Sequence, residues 1–306
     1  MAWSAPAEGE KLMAGTRRNI LSMPLAAVQR FTAALNVLKT NGTYDDFIRR
    51  HMQAMQAATP AGSSRNSAHR GPVFLPWHRA ALLELEGALQ AVDPLVEGLP
   101  YWSWQDEAAR NAGDARRSIL WTPAYLGTDG DAARSNRVLN GPFANWSALL
   151  YNSSSRTFVR RSTPGLIRRL GRDPNGSAQP PDAAQVTDAM NRYPRYDVAP
   201  WDGSSASFRN RLEGWSGGPR LHNLVHRFVG GDMLAGTSPN DPVFWLNHCN
   251  VDRLWWQWQG QWGINTYQPV SGGPVGHNLN DTMQFLLRPR TPASVLNIAS
   301  LGYSYV

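Results

Sequence analysis

Six of the seven histidines in this 306-residue chain fall into two groups of three, His51, His69 and His78 followed by His222, His226 and His248, and only His277 stands apart. Imidazole is a neutral nitrogen donor that suits zinc, copper, iron and nickel. Histidines acting as ordinary core or surface residues have no reason to cluster, so the grouping points to two metal ions, each held by three rings. The spacing says this most directly in LHNLVHRF. There His222 and His226 are four residues apart, and on a helix such side chains leave from one face and can close on a single ion.

The elements that must position these rings are legible in the flanking residues. In DPVFWLNHCNVDRLWWQWQ the apolar residues Val243, Phe244, Leu246, Val251, Leu254, Trp255 and Trp258 recur at roughly helical intervals after Asp241-Pro242, predicting a helix that brings in His248. FLPWHRAALLELEGALQAV predicts a helix opening near Pro76, with His78 in its first turn, and His51 ends the amphipathic run YDDFIRRHMQAM. His69 lies in the Gly-, Ser- and Asn-rich stretch AGSSRNSAHRGP, which reads as a loop. The first ion therefore takes two ligands from helices and one from a loop.

What the sequence lacks narrows the metal. Calcium, magnesium and manganese prefer oxygen donors. Neither an H-E-x-x-H run nor a Glu-x-x-His pattern occurs, which removes the usual helical zinc-protease and di-iron signatures. The sole cysteine, Cys249, cannot build a cysteine-rich zinc site or an iron-sulfur cluster within one chain, and it permits no intrachain disulfide. Two all-histidine, three-ligand sites leave open positions between the ions, and copper handling dioxygen fits them best; a dizinc or di-iron hydrolase is the remote alternative.

The formal charge is +7, and 28 of the 30 basic residues are arginine. The Arg-Arg pairs at 17–18, 49–50, 116–117, 160–161 and 168–169 are scattered and not interleaved with aromatics, so a solvated basic surface is expected rather than a nucleic-acid face. No apolar run approaches a membrane span or a signal-peptide core, which leads to the expectation of a soluble protein that folds in the cytoplasm. Thirteen tryptophans and 42% hydrophobic residues supply a large core, with Trp255, Trp256, Trp258 and Trp262 expected to pack into it. The two triads must meet, which folds both halves of the chain around one core and makes residues 1–306 a single domain. The polar, turn-rich stretch GRDPNGSAQPPD at 171–182 reads as a surface excursion between the halves.

The segments RRNILSM, YDDFIRRH, SAHRGPVFLPWHR, LPYWSW at 99–104, FRNRLEGW at 208–215 and the long block LHNLVHRFVGGDMLAGTSPNDPVFWLNHCNVDRLWWQWQ at 221–259 together resemble the type 3 copper proteins, and within them the compact bacterial tyrosinases. The resemblance runs from about Arg17 to Tyr305. It implies a mainly α fold whose four-helix-bundle core holds the dicopper site, with long loops and minor β structure. His51, His69 and His78 would bind copper A within a half spanning about 17–105; His222, His226 and His248 would bind copper B within a half spanning about 208–262. Two copper ions, close enough for a dioxygen species to bridge them, would ortho-hydroxylate monophenols and oxidise o-diphenols to o-quinones, the chemistry of melanin formation.

The copper ligands are shared by tyrosinases, catechol oxidases, o-aminophenol oxidases and dioxygen carriers, so the neighbouring residues must choose among them. A phenol of pKa about 10 needs help to lose its proton at neutral pH. In the family a water held by a Glu and an Asn gives that help, and Glu213 and Asn223 occupy those positions. Ala235, thirteen residues before His248, stands where the family places a residue over copper A, and its small side chain would leave room for a ring. Arg227, beside His226, is available to a substrate carboxylate. An oxidase of catechols or o-aminophenols without monophenol activity is the alternative, and a dioxygen carrier is disfavoured by Ala235.

The pattern has departures. Ser103 replaces a commoner Asp, Asn247 replaces a His, and Ser67 stands where fungal relatives carry a thioether-forming Cys. Cys249 is expected to be a buried thiol. Tyr303-Ser304-Tyr305 resembles the Tyr-x-Tyr that closes the family's catalytic domain and pairs with an N-terminal arginine, here Arg17. The chain stops one residue later, so no shielding domain is expected. The family also implies a small helper protein for copper loading or export as a partner beside the phenolic substrate and dioxygen.

Overall fold

The computed structural model describes residues 15–174, 177–216 and 220–306. Eight helices carry it: α1 (Leu25–Thr40), α2 (Thr43–Gln56), α3 (Phe74–Val92), the one-turn α4 (Glu107–Arg110), α5 (Ala183–Arg192), α6 (Phe208–Glu213), α7 (Leu221–Val229) and α8 (Val243–Trp262). Strand structure is minor. It consists of β1 (Gly15–Arg17) paired in parallel with β4 (Tyr303–Tyr305), and β2 (Leu149–Asn152) paired antiparallel with β3 (Thr157–Arg160). The expected mainly α architecture is what the chain adopts.

Helix α3 is the centre. Its side chains are buried from Phe74 to Gln90 without a polar stripe, the pattern of a helix enclosed on all sides. It packs on α1 and α8, α8 packs on α7, and α2 rests on α1. The ligand-bearing helices α2, α3, α7 and α8 thus face one another across the core, as a bundle must if rings from different helices are to meet. Helix α3 begins at Phe74, two residues before Pro76, which sits in the first turn where a missing N–H is harmless. In α8, Trp255 and Trp258 are buried, but Trp256 and Trp262 are each more than a third exposed. Those two lie on the solvent side of the helix, where the apolar periodicity has lapsed.

The buried arginines correct the expectation of a purely solvated basic surface. Arg17, Arg79, Arg168 and Arg209 have no exposed surface. Arg17 Nε bonds Glu86 Oε2 at 2.8 Å, while Arg79 Nε bonds Asp252 Oδ1 at 2.5 Å, so carboxylates of α3 and α8 are cross-linked by guanidinium groups. Arg17 also lies 3.6 Å over the Tyr303 ring and donates to Tyr305 Oη at 3.2 Å, which ties β1 to β4 as the Tyr-x-Tyr resemblance implied. Arg168 grips Asp241 with two bonds of 2.6 and 2.8 Å just before α8. Ion pairs this deeply buried specify which elements meet more than they add net stability, because desolvation offsets most of their attraction.

Two glycine positions shape the approach to the triads. After α7 the chain reverses through Gly230 and Gly231, at φ 65° and 56°, and a Cβ on Gly231 would lie 2.0 Å from the Ile167 carbonyl oxygen. Helix α6 ends on Gly214 at φ 104°, where a Cβ would meet the Arg220 carbonyl oxygen at 2.1 Å. Only glycine fits either place. No helix among the described residues is long and apolar enough to cross a membrane.

Candidate metal centre

The structure brings all six grouped histidines together as two triads, His51 with His69 and His78, and His222 with His226 and His248, the potential ligand atoms of each triad lying within 4.8 Å of one another. His51 comes from α2; His78, expected in the first turn of its helix, stands in the second because α3 opens at Phe74; His222 and His226 stand one turn apart on α7 and His248 projects from α8. His69 comes from the loop ahead of α3. Asn66 holds that loop, its Oδ1 accepting the backbone N–H groups of Ala68 (3.1 Å) and His69 (2.8 Å). The triads touch: His78 and His248 stack at 4.0 Å with an interplanar angle of 8°, and the Phe74 ring lies 4.9 Å from both His78 and His222.

The other nitrogen of most rings is already committed. His51 Nδ1–H donates to the Gly236 carbonyl (2.7 Å), His78 Nδ1–H to that of Phe74 (2.8 Å) and His226 Nδ1–H to that of Met233 (2.7 Å). His222 Nδ1–H has two acceptors, Asn223 Oδ1 at 3.0 Å and the Glu213 carbonyl at 3.2 Å. Carbonyl partners make these nitrogens the protonated ones and leave Nε2 as the lone pair, which is the arrangement that orients a metal-binding imidazole. Burial pushes all six rings below the ordinary histidine pKa, His51 and His226 to about 4, so they are neutral near pH 7 as metal ligation requires.

The lone pairs then have nowhere else to go. His51 Nε2 and His78 Nε2 are buried without a hydrogen-bond partner among the described residues. His222 Nε2 sits 3.0 Å from His226 Nε2 and 3.1 Å from His248 Nε2, nitrogen facing nitrogen. Unpartnered buried acceptors are costly, and converging lone pairs are worse; a cation among them removes both penalties. The donor set is six imidazoles. Cys249 is excluded from it, because its Sγ–H donates to the Leu99 carbonyl at 3.3 Å and burial pushes the thiol up to about 12. Six neutral nitrogens with no carboxylate and no thiolate fit two copper ions.

A cavity of about 630 Å3 opens onto His51, His69, His222 and His226, within the usual size of small-molecule sites. Asn223, Arg227 and Ala235 line it. Ala235 is exposed and immediately precedes Gly236, the residue that orients His51. Glu213 is not on the wall. It is fully buried, with Oε1 accepting the Arg70 backbone N–H at 2.6 Å and Oε2 accepting Arg209 Nη1 at 3.0 Å; burial raises its pKa, against the pull of Arg209. Arg227 is engaged by Asp173, Nε to Oδ2 at 3.0 Å. Ser103 Oγ–H donates to Asp106 Oδ2 at 2.5 Å, and the Asn247 amide is buried with no partner among the described residues.

Sequence reading did not find Asn66, Gly236, Met233 or Phe74. The Asn66 signal was present, since Asn-Ser-Ala-His is a sequence that turns on its own side chain, but the carbonyl partners are backbone atoms and carry no residue signature. His277, the outlier, is also accounted for. It is buried and hydrogen-bonded through Nε2 to Thr59 Oγ1 at 2.8 Å, where it braces the loop that delivers His69.

The bundle and its paired triads define an all-histidine dicopper protein. Residues 41–261 match the common central domain of tyrosinase. The chain is 42% identical to a tyrosinase of Streptomyces antibioticus over 285 residues, covering 92% of this chain and 96% of that protein, and 42% identical to a tyrosinase of Streptomyces glaucescens over 272 residues, 88% and 91% of the two chains. A mutant polyphenol oxidase from Thermothelomyces thermophila shares the fold, with a TM-score of 0.69 at 21% identity over 99% of this chain and 91% of that one. The chain belongs to the tyrosinase family. It is a tyrosinase-like dicopper polyphenol oxidase.

Proposed function

We propose that this oxidase ortho-hydroxylates monophenols and oxidises the resulting o-diphenols to o-quinones. The observation that carries the reading is the cavity that reaches four of the six histidines past a side chain as small as Ala235, which leaves a phenol ring a path to the metal site. When bound, the copper ions supply the one-electron redox chemistry that couples dioxygen to the ring. The chain does the rest. Six neutral rings, five of them fixed by carbonyl acceptors or by the Asn66-held loop, set the two ions in place. Phe74 and Phe244 pack against the rings and keep that side of the site dry.

Removal of the phenolic proton falls to Asn223 and Glu213. With Asn223 Oδ1 accepting from His222, its amide NH2 remains to hold a water at the cavity wall, next to Glu213, whose backbone carbonyl accepts from the same His222 N–H. A second reading has its own observation. Glu213 is withdrawn from the wall into its pair with Arg209, which favours an oxidase of catechols or o-aminophenols that needs no such base.

Copper-loaded protein assayed with tyrosine, catechol and o-aminophenol under dioxygen separates the readings. Fast catechol oxidation with no turnover of tyrosine sinks the monophenolase assignment, and dioxygen binding without any turnover indicates a carrier. Within the first reading, Glu213→Gln lowers monophenol oxidation more than diphenol oxidation; equal losses remove Glu213 from the proton step.

For place and partner we propose cytoplasmic folding with a small helper protein that loads copper or carries the chain outward. The exposed apolar residues Trp215 and Leu234 beside the cavity mouth support a protein contact there. Copper uptake that is as fast for the isolated chain as in cell extract argues against a helper.

A further inference from the structure

The cavity carries two arginines, Arg70 and Arg227, and their surroundings differ. Taking the cavity as a phenol-binding site, we propose that Arg70, and not Arg227, receives a carboxylate borne on a short chain from the substrate ring. Arg227 is bound at Nε by Asp173, itself a residue of the cavity wall, so its charge is balanced before any substrate arrives. Arg70 has no carboxylate within ion-pair distance of its guanidinium among the described residues. Instead the guanidinium lies 3.8 Å over the ring of Trp215, also on the wall.

Stacking uses the face of the guanidinium plane and leaves the in-plane N–H donors to bind a carboxylate through two parallel bonds. The aromatic face also fixes the side chain, so little rotamer freedom is lost on binding. The backbone is fixed as well. Arg70 follows ligand His69 directly, sits in the left-handed region at φ 57°, and is held there by its N–H bond to Glu213 Oε1. A non-glycine residue kept in that conformation is strained, and surrounding contacts must hold it. Here the strain sets one cation at a constant offset from the metal site, in a wall that otherwise presents neutral groups and a balanced ion pair. Glu213 thereby also acts as a positioning residue for Arg70, through its side chain, while its carbonyl orients His222.

The test uses copper-loaded protein and two probes of equal shape and different charge, 3-phenylpropanoate and 3-phenylpropanamide, with binding measured by calorimetry and copper content and circular dichroism checked for each variant. Wild type is expected to bind the acid about tenfold more tightly than the amide, the lower end for a charge-assisted pair at a partly open site. Arg70→Gln abolishes that preference, Arg70→Lys retains only part of it because an ammonium has neither the fork nor the stack, and Arg227→Gln leaves it in place. Equal binding of acid and amide by wild type, survival of the preference in both Arg70 variants, or its loss in Arg227→Gln overturns the proposal. A parallel assay with 4-methylcatechol keeps the two readings apart. Failure of wild type to oxidise this uncharged ring sinks the phenol-oxidase assignment, while the calorimetric comparison decides the role of Arg70 without recourse to turnover.

Discussion

The two triads present the same donors but are assembled in different ways. His222 and His226 are fixed relative to each other by one turn of α7, so two-thirds of that site exists as soon as the helix does, and α8 need only deliver His248. The other triad draws one ring each from α2, a loop and α3, and nothing local relates any two of them. Its orientation also depends on the opposite half of the chain, because the acceptor for His51 is the carbonyl of Gly236, 185 residues away. The α7 triad is therefore set largely by secondary structure, and the His51 triad by tertiary structure. Copper should remain at the former under conditions that already loosen the latter.

The largest expected effect comes from removing a ligand. His226→Ala or His78→Ala loses one of the two copper sites and with it dioxygen chemistry that needs both, measured as copper per chain alongside turnover. The comparison is broken if either variant keeps full activity, and sharpened if His78→Ala retains copper at the α7 triad while His226→Ala weakens both.

Next come the groups that orient ligands. Asn66→Ala releases the His69 loop and is expected to lower affinity for the copper of the His51 triad about 10–100-fold, the usual range for losing an orienting partner. Asn223→Ala removes only one of two acceptors of His222 Nδ1–H, the Glu213 carbonyl remaining, and should cost less. Competition against a graded set of copper chelators measures both, and the reverse order contradicts the contrast drawn between the triads.

The smallest effect concerns two buried carboxyls. Glu213 is raised by burial but opposed first by the charge of Arg209, whereas Glu84 on α3 is raised to about 6 by burial and opposed mainly by backbone N–H groups of Leu287 and Arg288. The folded state holds the Glu84 proton more tightly than the unfolded chain does, whose value is 4.5. Its contribution is therefore fully present below pH 4.5 and is lost as pH rises through about 6. A shift of that size amounts to about 2 kcal/mol. Glu84→Gln should be about as stable as wild type below this window and more stable above it, and denaturant melts at several pH values that stay parallel for the two proteins refute the assignment.

Much of this is legible in the sequence. The triads are visible because metal chemistry restricts residue types and because the i, i+4 spacing of His222 and His226 converts sequence distance into spatial proximity. Helices α3 and α8 are visible in their apolar runs, and the pairing of Arg17 with the Tyr303-Ser304-Tyr305 tail through the family resemblance. The arginine count suggests only a charged surface. A sequence does not show that Asp252, Asp241 and Asp197 wait in the core for Arg79, Arg168 and Arg209, since a charge is buried only where the packed chain brings a partner to it.

By itself, then, the sequence pointed to the metal class, the two histidine triads that could hold the ions, the helices that carry five of those rings and the family. Those follow from side-chain chemistry and local periodicity, which are properties of short segments. Tertiary structure decided which nitrogen of His51, His222 and His226 is free, because their carbonyl acceptors lie outside the helix that carries the ring. It alone placed Glu213 behind the cavity wall, tied Arg227 to Asp173 and left Arg70 stacked on Trp215 with its donors open. Substrate preference belongs to that second set, since it depends on which charges remain unbalanced once the chain has folded.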